Sequence, residues 1–149
     1  MASLVRLGNA LGAMGIAIVL LVAFAMQFAL GELPCPLCSL QRVALVLCGM
    51  GFLLNLRFGV QPLHYGLSLL AALFGAAVAG RQVLLHIVPG TGAYGSALFG
   101  LHLYTWSLIL FVAVIAGIAV LMIMGGRPDH DRSDHQAAMR FRGIHRVAA

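Results

Sequence analysis

Residues 11–30 read LGAMGIAIVLLVAFAMQFAL, and this stretch decides the class of fold. It contains no charged residue, and a helix needs ~20 apolar residues of this kind to cross a hydrocarbon core of ~30 Å. The whole chain of 149 residues has the same character, with 62% hydrophobic residues, 9% charged residues and a mean hydropathy of +1.02. Soluble domains do not have this composition. The sequence therefore predicts an integral membrane protein.

Further apolar stretches follow the first one, separated by short segments rich in Gly and Pro. They predict an all-α membrane protein, a four-transmembrane-helix bundle, with helices over about residues 9–30, 37–56, 64–88 and 104–124. We expect residues 1–126 to form this membrane domain and 127–149 to be a basic, disordered tail. The first stretch is longer than the ~7–15-residue core of a signal peptide, so we expect it to be retained as a helix.

The positive charges predict the orientation of the bundle. The chain has nine Arg, no Lys and four acidic residues, and five of the Arg lie in the tail: Arg127, Arg132, Arg140, Arg142 and Arg146. By the positive-inside rule the tail is cytoplasmic, and with four spans the N-terminus is cytoplasmic as well. The segment between helices 1 and 2 then faces outward. The tail suits contact with anionic membrane lipids, and we expect no nucleic-acid partner.

That outward segment contains Cys35-Pro36-Leu37-Cys38, at the start of the second predicted helix. The third cysteine, Cys48, follows Cys38 by ten residues, which is ~15 Å along a helix. A disulfide needs Cα atoms within ~7 Å of each other. We therefore expect only Cys35 and Cys38 to pair, and we expect Cys48 to pack as a small apolar side chain.

Two cysteines at this spacing can form a redox-active pair, part of a zinc site or a structural clip. Zinc needs three or four ligands, and a second cysteine pair is absent from the sequence. Although His86 and His102 are available in principle, we expect no metal. A clip over two residues stabilises little, because the stabilisation grows with loop length. Redox chemistry is favoured because a helix N-terminus and a cation, here Arg42 one turn after Cys38, stabilise the reacting thiolate.

The run PCPLCSLQR, residues 34–42, resembles the signature of the DsbB family of bacterial inner-membrane proteins. The likeness extends to Gly80-Arg81-Gln82-Val83 with His86 and to Phe99-Gly100-Leu101 with Trp106, and so covers about residues 10–124. The resemblance implies a protein-disulfide oxidoreductase that reduces a quinone, multi-pass in the bacterial inner membrane. It also implies a DsbA-like partner, a periplasmic dithiol protein with the thioredoxin fold.

The resemblance also implies roles for single residues. Cys35 and Cys38 match the catalytic disulfide at the periplasmic face, and Cys38 would pass its electrons to ubiquinone or menaquinone. Arg42 and His86 match residues that bind the quinone head. The chain departs from the family between helices 3 and 4, where DsbB proteins carry a second cysteine pair and residues 89–103 here contain none. We expect the partner to react directly with Cys35–Cys38, or another protein to supply a loop thiol.

The sequence also allows two hypotheses without thiol catalysis. One is a non-catalytic membrane scaffold or assembly subunit that kept the DsbB-like fold; replacing both Cys35 and Cys38 would then leave the cellular phenotype unchanged. The other is a haem-binding electron carrier that uses His86 and His102 as axial ligands, since ligation by two histidines is ordinary haem chemistry.

Overall fold

The computed structural model describes residues 2–31, 35–86, 97–98 and 100–125. The elements in these ranges are, in chain order, α1 (Ala2–Leu30), α2 (Pro36–Phe58), α3 (Pro62–His86), β1 (Ala97–Leu98), β2 (Leu101–His102) and α4 (Leu103–Gly125). Within the described residues, four helices are long and apolar enough to cross a membrane. The predicted class, a four-helix membrane bundle, is confirmed, and the chain is a multi-pass membrane protein.

The largest difference from the predicted helix bounds is at the start of α1, which begins at Ala2 and not at about Asn9. Asn9 is fully buried, and its amide Nδ2 donates to the carbonyl oxygen of Val5, one turn earlier, at 2.8 Å. The helix therefore continues through this polar residue, because the amide is hydrogen-bonded inside the protein and does not need water. The first helix is longer at its N-terminal end than hydropathy predicts.

The segment before α4 contains a short antiparallel hairpin that the sequence did not predict. Ala97 pairs with His102 and Leu98 pairs with Leu101, and Gly100 takes a φ of 79° in the turn between the two strands. This left-handed conformation carries no steric cost for glycine. The rest of the predicted outer loop, the last two residues of the predicted third helix and the predicted tail over 127–149 lie outside the described residues.

The helices pack in sequence order, with α1 against α2 and α4, α2 against α3, and α3 against α4. Small residues allow the closest approaches between the helices. A Cβ atom added to Gly12 of α1 would lie 3.2 Å from the ring of Phe52 in α2. A Cβ atom added to Gly75 of α3 would overlap the ring of Phe111 in α4. The buried aromatic rings thus occupy the space that these glycines leave.

The bundle has two ends with buried polar groups. The disulfide end comprises the C-terminal ends of α1 and α3 and the N-terminal ends of α2 and α4, and it carries Cys35 and Cys38. The amide end, at the opposite ends of the same helices, contains the buried side chains Asn9, Asn55, His64 and Tyr65.

Hydrogen bonds join the side chains of the amide end across three helices. Asn9 Nδ2 donates to the hydroxyl of Tyr65 at 2.7 Å, and Asn55 Nδ2 donates to Asn9 Oδ1 at 3.0 Å. Asn55 Oδ1 in turn accepts from the backbone N–H of Gln61 at 3.1 Å and lies 2.9 Å from Nδ1 of His64. This network fixes α1, α2 and the start of α3 relative to one another.

Candidate active site

A disulfide joins Cys35 and Cys38 at the N-terminus of α2, with 5.1 Å between their Cα atoms. Cys35 is the N-cap of the helix, in an extended conformation, and its Sγ accepts the backbone N–H of Cys38 at 3.1 Å. Pro36 occupies the first helical turn, where a missing N–H costs nothing. The local sequence thus places one sulfur before the helix and the other inside its first turn, where the helix dipole favours negative charge.

Two buried glutamines lie beside the disulfide. Gln82, on α3, places Nε2 3.5 Å from the Sγ of Cys35 and 3.7 Å from the Sγ of Cys38. Its Oε1 accepts a hydrogen bond of 2.8 Å from Nε2 of Gln41, which lies one turn into α2. The side chain of Gln82 is 1% exposed and that of Gln41 is 3% exposed. A chain of hydrogen bonds thus connects α2, α3 and the two sulfur atoms.

Arg42 lies one turn after Cys38 on α2, and its guanidinium group reaches α1. It donates to Oε1 of Gln27 and, at 3.3 Å, to the carbonyl oxygen of Ala23, and it lies 4.7 Å from the ring centroid of Phe24. These contacts hold the cation at the disulfide end, where burial of an unpaired charge would be costly. The helix spacing predicts the position of Arg42, but it gives no indication of its partners on α1.

His86, the last residue of α3, lies close to two aromatic side chains of the disulfide end. Its Nδ1 is 2.8 Å from the carbonyl oxygen of Gln82, one turn earlier. The ring of Tyr104 stacks with both His86 and His102, each with 5.3 Å between ring centroids. Nδ1 of His102 is buried and has no hydrogen-bond partner among the described residues. The structure thus brings His86 and His102 to one tyrosine.

Cys48 is fully buried between α2 and α3, as the sequence predicts, and it is a free thiol. Its Sγ–H donates to the carbonyl oxygen of Ser68 at 3.4 Å, and the Ser68 hydroxyl donates to the carbonyl oxygen of Cys48 at 2.9 Å. This reciprocal pair lies away from the disulfide and joins the two helices. Among the described residues, no group of three or more His, Cys, Asp or Glu is placed to hold a metal ion.

The four residues that the sequence selects, Cys35, Cys38, Arg42 and His86, all lie at the disulfide end of the bundle. Sequence reasoning assigns no role to three glutamines in the same region, Gln27, Gln41 and Gln82, although each lies in an apolar helix. A polar side chain in a membrane-spanning segment is a functional candidate in its own right. That signal was available for all three, but sequence alone cannot pair residues on different helices.

The sequence model of the family described as disulfide bond formation protein DsbB matches residues 5–93. The chain belongs to the DsbB family. The matched range includes α1 from residue 5 onward and all of α2 and α3, and therefore the disulfide, the three glutamines, Arg42 and His86. The resemblance seen in the sequence is confirmed for this range, whereas the expected likeness around Trp106 in α4 lies beyond it.

Relatives in the DsbB family share between a third and a half of the aligned residues with this chain. Disulfide bond formation protein B of Chromohalobacter salexigens is 39% identical over 90 residues, which are 57% of this chain and 52% of the relative. Its namesake in Nitrosomonas eutropha is 39% identical over 97 residues, 58% of this chain and 60% of the relative. The protein of Pseudomonas syringae pv. tomato is 47% identical over 70 residues, 43% of this chain and 41% of the relative.

The chain spans about half the length of the curated relatives that it matches. No solved structure matches it.

Proposed function

We propose that this protein is a membrane thiol:quinone oxidoreductase of the disulfide-forming pathway. The observation that carries the proposal is the Cys35–Cys38 disulfide at the N-terminus of α2, at one end of an apolar four-helix bundle. Membership of the DsbB family supports the same chemistry. The bundle presents the pair at an end of the membrane domain, so a soluble protein and a lipid-soluble acceptor can both reach it.

The first half of the reaction is thiol–disulfide exchange with a thioredoxin-fold dithiol protein that resembles DsbA. A thiolate of the partner attacks Sγ of Cys35, the Cys35–Cys38 bond breaks, and Cys38 leaves as a thiolate in the first turn of α2. The positive end of the helix dipole stabilises this leaving group. The second thiol of the partner then attacks the mixed disulfide, so that the partner leaves oxidised and both cysteines are reduced.

The second half returns the pair to the disulfide. Cys35 and Cys38 give up two electrons and two protons as their S–S bond forms again. A bound ubiquinone or menaquinone would be the two-electron acceptor. Arg42 and His86 would hold the quinone head. The buried Nδ1 of His102, which has no partner among the described residues, is the kind of atom that a carbonyl or hydroxyl oxygen would satisfy. The donors at this end therefore fit such a group.

The proposal includes an orientation in the bacterial inner membrane. The disulfide end faces the periplasm, where disulfides persist, and both chain termini lie in the cytoplasm. Since residues 89–103 contain no cysteine, the partner meets Cys35 directly or a second protein brings the loop thiol. Labelling of introduced cysteines in intact cells tests the orientation: a membrane-impermeant reagent reaches position 31 and does not reach position 59.

The test of the activity is quinone reduction by the purified protein in lipid nanodiscs, with a reduced thioredoxin-fold dithiol protein as the donor and the quinone absorbance as the readout. The wild type and Cys48→Ser turn over, because Cys48 is remote from the disulfide. Cys35→Ser is inactive, because it leaves no S–S bond to exchange. Absence of turnover in the wild type, under conditions where a DsbB protein with both cysteine pairs is active, sinks the proposal.

The thiol-free loop also favours a second candidate, a non-catalytic scaffold or assembly subunit with the same fold. The two candidates differ in what the cysteines do in cells. A scaffold keeps its cellular phenotype when Cys35 and Cys38 are both replaced by Ser, and the redox state of the pair does not change when respiratory quinone is withdrawn. An oxidoreductase loses its phenotype, and its cysteines become reduced without quinone.

A further inference from the structure

The amide of Gln82 is the polar group of α3 that lies against the disulfide. Its Nε2 lies within 3.5 Å of Sγ of Cys35 and 3.7 Å of Sγ of Cys38, and the side chain is 1% exposed. Water therefore does not compete for this amide, and the hydrogen bond to sulfur acts in a low-dielectric environment where it is strengthened. The two sulfur atoms are the atoms that gain negative charge when the pair is reduced.

The hydrogen-bonding capacity of the neighbours fixes which way the Gln82 amide points. A disulfide sulfur has no proton, so it can only accept, and the NH₂ group must face it. The carbonyl oxygen Oε1 is then left for a donor, which is Nε2 of Gln41 at 2.8 Å. If the amide of Gln82 were reversed, its oxygen would face two sulfurs without protons. Gln41 therefore holds the donor of Gln82 toward the disulfide.

We propose that Gln82 is a catalytic residue that stabilises the thiolate formed when Cys35–Cys38 is reduced, and that Gln41 is the positioning residue that orients it. The proposal rests on the redox role of the pair proposed above. On reduction, a donor dithiol gives up two electrons and becomes a disulfide, the Cys35–Cys38 bond breaks, one sulfur takes a proton from the donor and the other is left as a thiolate, and the second proton goes to solvent. A hydrogen bond to an anion is about twice as strong as one to a neutral acceptor. The Gln82 amide therefore favours the reduced state and makes the pair a stronger oxidant.

The direct test is the redox equilibrium of Cys35 and Cys38 against glutathione buffers, measured by thiol alkylation and mass spectrometry on the purified full chain in detergent. Gln82→Met keeps the length of the side chain and removes the N–H donor. We expect the ratio of reduced to oxidised protein in this variant to fall about tenfold, which corresponds to a reduction potential lower by ~30 mV for a two-electron couple. This measurement needs neither quinone nor a partner protein, so it can be interpreted even if the protein does not reduce quinone.

A double variant separates this role from simple helix pairing. Gln82→Met alone leaves the Gln41 amide buried and unpaired, which lowers stability. Gln41→Met/Gln82→Met removes both partners, and replacing both partners by apolar groups of the same shape is close to neutral for stability. We expect the double variant to unfold like the wild type and still to show the about tenfold redox shift. It also carries the test if the single variant does not fold.

Two further variants complete the design. Gln41→Met shifts the equilibrium in the same direction by a smaller factor, and it adds no shift in the Gln82→Met background, because Gln41 acts through Gln82. Ser68→Ala is the matched control: it removes a buried polar group of α3 that hydrogen-bonds to α2 without contacting the disulfide, and its redox equilibrium equals that of the wild type. A double variant whose equilibrium equals that of Ser68→Ala overturns the proposal.

Discussion

The disulfide end and the amide end of the bundle use the same kind of residue for different purposes. Each buries neutral amides that hydrogen-bond between helices: Gln41 to Gln82 at the disulfide end, and Asn55 to Asn9 at the amide end. At the amide end the network finishes on a tyrosine hydroxyl, a histidine and a backbone amide. At the disulfide end it finishes on two sulfur atoms. The difference lies in the groups at which the network ends, because only the sulfur atoms change charge when the disulfide is reduced.

This difference separates stability from reactivity. A network whose members keep their charge contributes the same free energy in every state of the folded protein. A network that ends on Cys35 and Cys38 contributes more when those atoms carry negative charge, and so it changes the balance between two folded states. We therefore expect substitutions at the amide end to change the free energy of unfolding and substitutions at the disulfide end to change redox or binding behaviour.

The largest stability effect should come from Asn55→Leu at the amide end. This change removes the donor to Asn9 Oδ1 and the acceptor for Gln61 and His64, leaving buried polar atoms without partners. We expect the free energy of unfolding to fall by ~2 kcal/mol, measured by SDS titration in mixed micelles. The glutathione equilibrium of Cys35 and Cys38 should stay at the wild-type value.

The control for Asn55→Leu is Gln61→Leu, because the side chain of Gln61 is exposed and only its backbone N–H enters the network. We expect its free energy of unfolding to stay within ~0.5 kcal/mol of the wild type. A redox shift in Asn55→Leu as large as that of Gln82→Met would contradict the separation of the two ends.

The next effect should come from Gln27→Leu at the disulfide end. Gln27 accepts a hydrogen bond from the guanidinium of Arg42. In the variant, Arg42 keeps its contacts with the carbonyl of Ala23 and the ring of Phe24. We expect the loss of one fixed partner to cost ~1 kcal/mol in quinone binding, which is about a fivefold rise in KM for quinone at unchanged kcat. Steady-state quinone titration measures it.

A Gln27→Leu protein with the KM of the wild type and a lower kcat would assign Gln27 to the thiol chemistry. The same assay on Gln61→Leu, which changes a glutamine at the opposite end of the bundle, should give wild-type values for both constants.

The smallest effect should come from Ser68→Ala, which lies between the two ends and one turn after His64 of the amide end. The Ser68 hydroxyl donates to the carbonyl oxygen of Cys48, and interhelical hydrogen bonds of this kind contribute ~0.6 kcal/mol on average in membrane proteins. We expect a loss of stability of that size in SDS titration, with no change in turnover or in KM. A loss as large as that of Asn55→Leu would show that polar groups along the whole α2–α3 contact act as one network.

The sequence predicts the architecture well because membrane spans depend on length and composition, which are local properties. It also predicts the positions of Cys35, Cys38 and Arg42, because residues three or four apart on a helix share a face. The part of α1 before Asn9 is not predicted because hydropathy places the start of the helix at this polar residue, whose buried hydrogen-bond partners a single sequence does not show. Its partners, Tyr65 and Asn55, lie 56 and 46 residues away in the chain.

The glutamines of the disulfide end were missed for the same reason. Gln41 and Gln82 are separated by 41 residues, and their pairing depends on how α2 and α3 rotate against each other. Small residues such as Gly51 of α2, where an added Cβ atom would overlap Ser68 of α3, set that rotation through close packing, which a single sequence does not reveal. The partners of Arg42 on α1 depend in the same way on the packing of two helices.

The position of Cys35 as the cap of α2 gives the disulfide a mechanical asymmetry. Cys38 is held by the helical backbone on both sides, whereas Cys35 has an extended backbone and precedes the helix. When the bond opens, we expect the Cys35 side chain to move more freely than the Cys38 side chain. In the proposed reaction the Cys35 sulfur would turn toward the partner protein while the Cys38 sulfur stays in the first turn of α2, so that a single helix end would serve both half-reactions.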